Sequence, residues 1–122
     1  MEATRLFSRH HIWLEAEGGM ARIGISDYAQ EKLGDVMFVN LPEVGERLEI
    51  GKRFGDMESI KTISDLISPV AGEVIRVNEG LLDEPEEINE HPYESWLIEV
   101  KVFQLAGDLV EEATYLNSKD DD

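Results

Sequence analysis

Short stretches in which apolar and polar residues alternate predict that this chain consists mainly of β-strands. In the run SWLIEVKVF, Ile98 and Val100 alternate with Glu99. This period of two is typical of a strand with one buried face. Two earlier runs, WLEAEG and GMARIGI, predict a β-hairpin whose turn contains the adjacent glycines Gly18 and Gly19.

Two segments break the alternating pattern and favour short helices. In SDYAQEKLG, Ser26 can cap a helix N-terminus and Gly34 can end the helix. Near the end of the chain, GDLVEEATYL predicts a second helix, because Asp108 and Glu111 have the spacing of a capping box. Helices are therefore expected near the N-terminal third and at the C-terminus.

No long-period repeat or linker interrupts the chain, so we expect residues 1–122 to form a single domain. Residues 115–122, which end in SKDDD, are predicted to be a frayed acidic tail. The run LDEPEEINEHPY at 82–93 is predicted to be an acidic surface segment that contains prolines. The resulting fold class is mainly β, a small sandwich or barrel with short helices.

The charge of the chain limits its partners. It has 11 Lys and Arg against 27 Asp and Glu in 122 residues, a formal net charge of −16. Nucleic acids and anionic membrane surfaces repel such a chain, so neither is an expected partner. The acidic surface suits docking onto basic faces of other proteins, and it equally suits plain solubility.

Several kinds of chemistry are missing from the sequence. There is no cysteine, so thiol nucleophiles and thiolate metal sites are excluded. We find no apolar run of 18 residues, no secretory signal and no phosphate-binding motif. The three histidines, His10, His11 and His91, have no convincing spacing for a metal site or a nucleophile. The chain is therefore not expected to be an enzyme or to hold a metal.

One lysine stands out in the run GDMESIKTISDLISPVAG. Lys61 lies between Ile60 and Thr62, β-branched residues that suit strand ends. Pro69 and Gly72 follow, and Gly72 is expected to ease a chain reversal after the proline. Taken alone, the pattern is that of an ordinary solvated lysine near a β-turn.

Three ordered blocks of the sequence give this lysine a context. They are ARIGISDYAQEKLGDVMFVNLPEVG, ESIKTISDLISPVAGEVIRVNEGL and INEHPYESWLIEVKV. Together they resemble the glycine cleavage system H protein family, over roughly residues 9 to 102. The resemblance implies a barrel-sandwich hybrid of the lipoyl and biotinyl carrier type.

The resemblance also implies a modification site. Lys61 matches the family's lysine that carries lipoic acid in amide linkage. Glu58 and Gly72 match positions associated with recognition by the attaching enzyme, a lipoate ligase or octanoyltransferase. Biotin carriers have a similar fold, but methionines usually flank their lysine. Ile60 and Thr62 flank it here, which argues against biotin.

The family's function is that of a shuttle rather than a catalyst. Its lipoyl arm receives an aminomethyl group from a pyridoxal-phosphate glycine decarboxylase and passes it to a folate-dependent aminomethyltransferase. A dihydrolipoyl dehydrogenase then reoxidises the arm. On this resemblance we expect a monomeric carrier in the bacterial cytoplasm.

One position departs from the family pattern. The family has His-Glu-Trp near its N-terminus, where this chain has His11, Ile12 and Trp13. The missing glutamate is associated with holding the amine of the loaded arm in a cleft. The resemblance therefore implies that His11 and Ile12 border this cleft, together with Asp65, which matches a second carboxylate there. Three interpretations stay open: glycine cleavage with a looser clamp, an H-like lipoate-binding carrier of bacterial sulfur oxidation that works with a heterodisulfide-reductase-like system, and a lipoyl relay protein. A non-lipoylated interaction module of the same fold is a fourth. The block ESIKTISD stays close to the glycine-cleavage form of the family, which favours glycine cleavage.

Overall fold

The computed structural model describes residues 5–119 and contains two antiparallel sheets with short helices between their strands. The strands are β1 Arg5–Phe7, β2 Ile12–Glu17, β3 Met20–Ile25, β4 Val36–Asn40, β5 Arg47–Leu48, β6 Arg53–Ser59, β7 Ile63–Ile67, β8 Val70–Val77, β9 Ile98–Leu105 and β10 Val110–Glu111. The helices are α1 Asp27–Leu33, α2 Gly80–Asp83, α3 Glu87–Glu90 and α4 Glu112–Lys119.

The larger sheet has the strand order β10-β1-β2-β3-β9-β8-β5, and the smaller has the order β4-β6-β7. One apolar core joins them, since the main cluster of buried side chains includes Leu14 and Val100 of the larger sheet and Met57 of the smaller. The mainly β fold class is thus confirmed. No helix within the described residues is long and apolar enough to cross a membrane.

Local signals placed the first hairpin and the first helix correctly. β2 and β3 pair directly, and the glycines between them have φ angles of 61° and 81°. The Oγ of Ser26 accepts a hydrogen bond from the N–H of Ala29 at 3.1 Å, which caps α1. Gly34 ends the helix with a φ of 79°, a conformation that favours glycine.

The predicted capping box near the C-terminus is wrong. Val110 and Glu111 form β10, which pairs with Phe7 and Leu6 of β1, and the helix begins only at Glu112. Hydrogen bonding to the edge of the sheet outweighs the local helix signal there, because an open strand edge offers unpaired backbone groups.

The predicted frayed tail also begins too early. Tyr115 lies within α4, is 3% exposed, and stacks on Phe7 with ring centroids 4.6 Å apart. The chain is therefore packed where fraying was expected, and residues 120–122 of the predicted tail lie outside the described residues.

The acidic segment at 82–93 is more ordered than its composition indicated. It contains the last two residues of α2 and all of α3, and Ile88 of α3 is buried against the main core. Leu81, which directly precedes the segment, is buried in the same core, so both helices are held although most residues of the segment are acidic or polar.

Candidate functional site

Lys61 is exposed and lies in the tight turn that joins β6 to β7. Ser59 organises this turn, because its Oγ accepts hydrogen bonds from the backbone N–H of Lys61 and of Thr62, each at 3.1 Å. The N–H of Ser59 donates to the Thr62 carbonyl at 2.8 Å, which closes the turn. Because Lys61 is exposed in this turn, it is accessible to another protein.

A second contact holds the turn against the rest of the molecule. The N–H of Ile60 donates to the carbonyl of Asp35 at 3.2 Å, at the start of β4. The Lys61 side chain lies beside Gly34: a Cβ at position 34 would come within 3.2 Å of the Lys61 Cε. The glycine that ends α1 therefore also leaves room for the lysine.

A cavity of about 240 Å³ opens beside this turn. Its apolar lining includes Ile12 and Ile25 from the first hairpin and Leu33 from α1. Thr62 and Asp65 bring the Lys61 hairpin to the same cavity. Ile12 and Asp65 thus line one cavity beside the Lys61 turn, although Lys61 itself does not line it; their role in holding an arm stays a prediction.

His11 is not among the residues that line this cavity, whereas His10 is. The backbone of His11 has a φ of 67°, and its Nδ1 lies 2.8 Å from the hydroxyl of Tyr115. Its ring also lies 4.9 Å from that of Tyr28. The turn in the chain directs His11 toward α4, and its place beside the arm stays a prediction.

The carboxylate of Asp65 has an ion partner that the sequence did not reveal. Arg53 donates from its Nε to Asp65 Oδ1 at 3.1 Å and from a second nitrogen to Asp56. Asn40 donates to Asp56 at 2.6 Å, and this bond, followed by those from Arg53, holds the pKa of Asp56 below its ordinary value against the opposing effect of burial. The hydrogen bonds from Arg53 to Asp56 and Asp65 raise the pKa of Arg53.

Glu58 and Gly72, the two residues predicted to be recognised by the attaching enzyme, lie in different sheets. Glu58 lies on β6 directly opposite Phe38 and Ile63, three residues before the lysine. Gly72 lies within β8, in the other sheet, opposite Val102 and at a register shift. A Cβ there would stand 2.3 Å from the carbonyl oxygen of Lys101, so Gly72 permits close approach of β9 rather than a chain reversal after Pro69.

A larger groove of about 850 Å³ lies at the opposite end of β6 from the turn. Its lining includes Arg47, Arg53 and Gly72 but not Lys61. Elsewhere, Glu87, Glu90 and His91 each place one possible ligand atom within 4.8 Å of the others. Exposed acidic groups are often arranged in this way, and the expected absence of a metal centre stays a prediction.

The family assignment follows from comparison with known proteins. The family described as "Glycine cleavage H-protein" matches residues 5–121. The chain belongs to this family.

Bacterial relatives resemble the chain over most of its length, and each is named glycine cleavage system H protein. That of Rubrobacter xylanophilus is 52% identical over 98 residues, covering 80% of this chain and 78% of the relative. That of Oceanobacillus iheyensis is 50% identical, covering 79% and 77%. That of Bacteroides thetaiotaomicron is 48% identical over 112 residues and covers 89% of both.

The fold agrees with a solved structure of the family. The crystal structure of a glycine cleavage system H protein from Mycobacterium marinum is similar with a TM-score of 0.90 and 37% identity. The likeness covers 98% of this chain and 99% of that one. The barrel-sandwich architecture expected from the resemblance is thereby confirmed.

Proposed function

We propose that Lys61 carries lipoic acid in amide linkage and that the protein is the aminomethyl carrier of a bacterial glycine cleavage system. The observation that carries this proposal is an exposed lysine in a hydrogen-bonded turn, beside an apolar cavity, in a chain of the H-protein family. The partners would be a pyridoxal-phosphate glycine decarboxylase, a folate-dependent aminomethyltransferase and dihydrolipoyl dehydrogenase, in the cytoplasm. The relatives' names favour this function over sulfur oxidation or lipoyl relay.

The residues around the turn fit such a group. Ser59 fixes the backbone on both sides of Lys61, so the exposed lysine is held in a defined turn where an attaching enzyme can reach it. Amide formation removes the charge of the lysine, which suits an arm that packs against Ile12, Ile25 and Leu33. An arm of about ten bonds, on the order of 14 Å at bond lengths near 1.5 Å, can reach both the cavity and an enzyme outside it.

When bound, the lipoyl group would supply the sulfur chemistry of the transfer. The chain itself would supply shelter and a charged acceptor. The apolar part of the lining would shield the arm from water, and the Asp65 carboxylate can accept a hydrogen bond from a protonated amine. Arg53 shares that carboxylate, so the amine of a loaded arm would have to be accommodated beside the guanidinium. No catalytic step is assigned to the chain, and the proposal is that of a carrier rather than an enzyme.

Lipoylation of variants tests the attachment site directly. Incubation with a lipoate ligase, ATP and lipoate should raise the intact mass of the wild type by one lipoyl group and leave Lys61→Arg unchanged. Arginine keeps the positive charge but does not form the amide. Lys52→Arg is the matched control, since Lys52 is also exposed, and it should be modified like the wild type. Equal modification of Lys61→Arg would refute Lys61 as the site.

Loading tests the carried group. The lipoylated wild type should accept an aminomethyl group from glycine in the presence of the decarboxylase. Failure to load with any glycine decarboxylase tested would refute the glycine cleavage function and leave the sulfur-oxidation or relay carrier as the alternative.

A further inference from the structure

The segment that joins α1 to β4 is held by one side chain from a helix that is distant in the sequence. The Nδ2 of Asn89, in α3, donates to the carbonyl of Gly34 at 2.9 Å, and its Oδ1 accepts a hydrogen bond from the N–H of Val36, also at 2.9 Å. The same Nδ2 donates to the Oε1 of Gln30 in α1 at 3.0 Å. Asn89 therefore fixes the backbone on both sides of Asp35.

An amide side chain suits these two backbone groups because one of them is a donor and the other is an acceptor. The N–H of Val36 needs an oxygen and the carbonyl of Gly34 needs an N–H, so the backbone itself fixes which end of the Asn89 amide faces which group. A carboxylate would satisfy the N–H but would present a second acceptor to the carbonyl. Ile88, the preceding residue, is 1% exposed in the main core and thereby anchors α3 where Asn89 can make these bonds.

The segment that Asn89 holds is also the one that contacts the Lys61 turn. The carbonyl of Asp35 accepts a hydrogen bond from the N–H of Ile60 at 3.2 Å. The Lys61 side chain lies against Gly34, where an added Cβ would come within 3.2 Å of the Lys61 Cε. Residues 34–36 thus connect Asn89 on one side to the lysine-bearing turn on the other.

We propose that Asn89 is a positioning residue that holds the Lys61 turn against the end of α1. Both sides of this joint are also walls of the cavity of about 240 Å³, which Leu33 of α1 and Thr62 of the turn line. Asn89 is not among the residues that line this cavity, so it acts through the backbone of residues 34–36. It sets where an arm on Lys61 begins relative to the cavity. This consequence rests on the proposed function of Lys61, whereas the contacts belong to the unmodified chain.

Amide hydrogen exchange of the unmodified protein, measured by NMR, tests the contact. In Asn89→Ala the N–H of Ile60 should exchange about tenfold faster than in the wild type, because the carbonyl that accepts it is no longer fixed. Amides of the β2–β3 pair are measured in the same samples and report any opening of the whole fold. Asn89→Asp has the same shape and loses only the two donated bonds. It should change the Ile60 exchange in the same direction, and it keeps the test valid if the alanine variant folds poorly. Wild-type exchange of Ile60 in both variants would overturn the proposal.

Two control variants separate positioning from a general loss of hydrogen bonds. Asn78 is also half-buried, and its Nδ2 donates to a backbone carbonyl, that of Trp96, at 2.8 Å. Asn78→Ala should therefore leave the exchange of the Ile60 N–H within about twofold of the wild type. Gln30→Ala should do the same, because both bonds from Asn89 to the backbone remain. An equally large increase in Asn78→Ala would overturn the proposal, since the effect would then be general.

Release of the carried group tests the consequence for the arm. Carriers are lipoylated to completion with excess ligase and loaded, and release of formaldehyde and ammonia is followed without the transferase. Asn89→Ala should release them about fivefold faster than the wild type, because an arm with a less defined starting point spends more time outside the cavity. Asn78→Ala should release them at the wild-type rate. Faster exchange of Ile60 with wild-type release would overturn the role of Asn89 toward the arm. Failure of the wild type itself to be lipoylated would instead refute the proposed function of Lys61, and the exchange measurement would still decide whether Asn89 holds the turn.

Discussion

Ile12 shows how one residue can serve the core and a cleft at the same time. It is 1% exposed and packs within the main apolar cluster, yet its side chain also lines the cavity that contains Asp65. Isoleucine can neither accept a hydrogen bond nor offset a cation. If the loaded arm ends in a protonated amine, Asp65 is the acidic residue that borders this cavity.

The change Ile12→Glu is expected to retain the carried group better and to weaken the fold. A regained interaction of about 1.4 kcal/mol would slow release of formaldehyde and ammonia from the loaded carrier about tenfold, measured without the transferase. Burial of a carboxylate at this position should lower the free energy of unfolding in urea by about 2 kcal/mol or more. Ile12→Gln is the control, because glutamine has the length of glutamate and a polar end but no charge. An unchanged release rate in Ile12→Glu would show that position 12 does not meet the amine.

At the scale of elements, Gly72 has a structural role at an irregularity of the larger sheet. It lies where the register of β8 against β9 shifts, and the carbonyl of Lys101 occupies the space that a side chain would need. An added Cβ would collide with backbone atoms of Lys101, and a change of side-chain rotamer cannot relieve this collision. A role in recognition by the attaching enzyme remains a prediction, and the geometry supplies a separate reason for a glycine.

Gly72→Ala should therefore lower the free energy of unfolding by about 2 kcal/mol, because β8 and β9 must move apart. Urea unfolding measures this change. Gly107→Ala is the matched control: a Cβ there meets nothing within 4 Å and the φ angle is not positive, so its effect should stay within about 0.5 kcal/mol. Wild-type stability of Gly72→Ala combined with slower lipoylation would favour recognition over strand packing.

At the scale of the whole molecule, the net charge of −16 is expected to affect how partners approach. Exposed charges attract complementary surfaces over a distance that salt shortens to about 10 Å at 0.1 M. Electrostatic attraction of this kind acts mainly on the association rate.

Association with the decarboxylase should become slower as ionic strength rises, while the dissociation rate changes less. Stopped-flow measurements at several KCl concentrations test this, and the same series with a neutral solute of matched viscosity is the control. Association rates that do not depend on salt would exclude steering by the acidic surface.

Short-range signals in the sequence were sufficient for part of this protein. The glycine pair predicted the first hairpin, Ser26 and Gly34 predicted the ends of α1, and the residues around Lys61 predicted a lysine near a turn. Each of these features depends on atoms within a few residues of one another, so the local sequence contains the physical cause.

The tertiary structure decided the features that depend on distant residues. Pairing with β1 made Val110 and Glu111 a strand edge instead of a helix cap, and packing on Phe7 fixed Tyr115 where fraying was expected. Likewise, the folded chain places His10, and not His11, in the lining of the cavity beside the Lys61 turn. Only the register of three strands placed Phe38 and Ile63 on either side of Glu58. The reason is the same in each case: the partner that stabilises the arrangement lies far away in the chain, and no local pattern records which partner will be adjacent after folding.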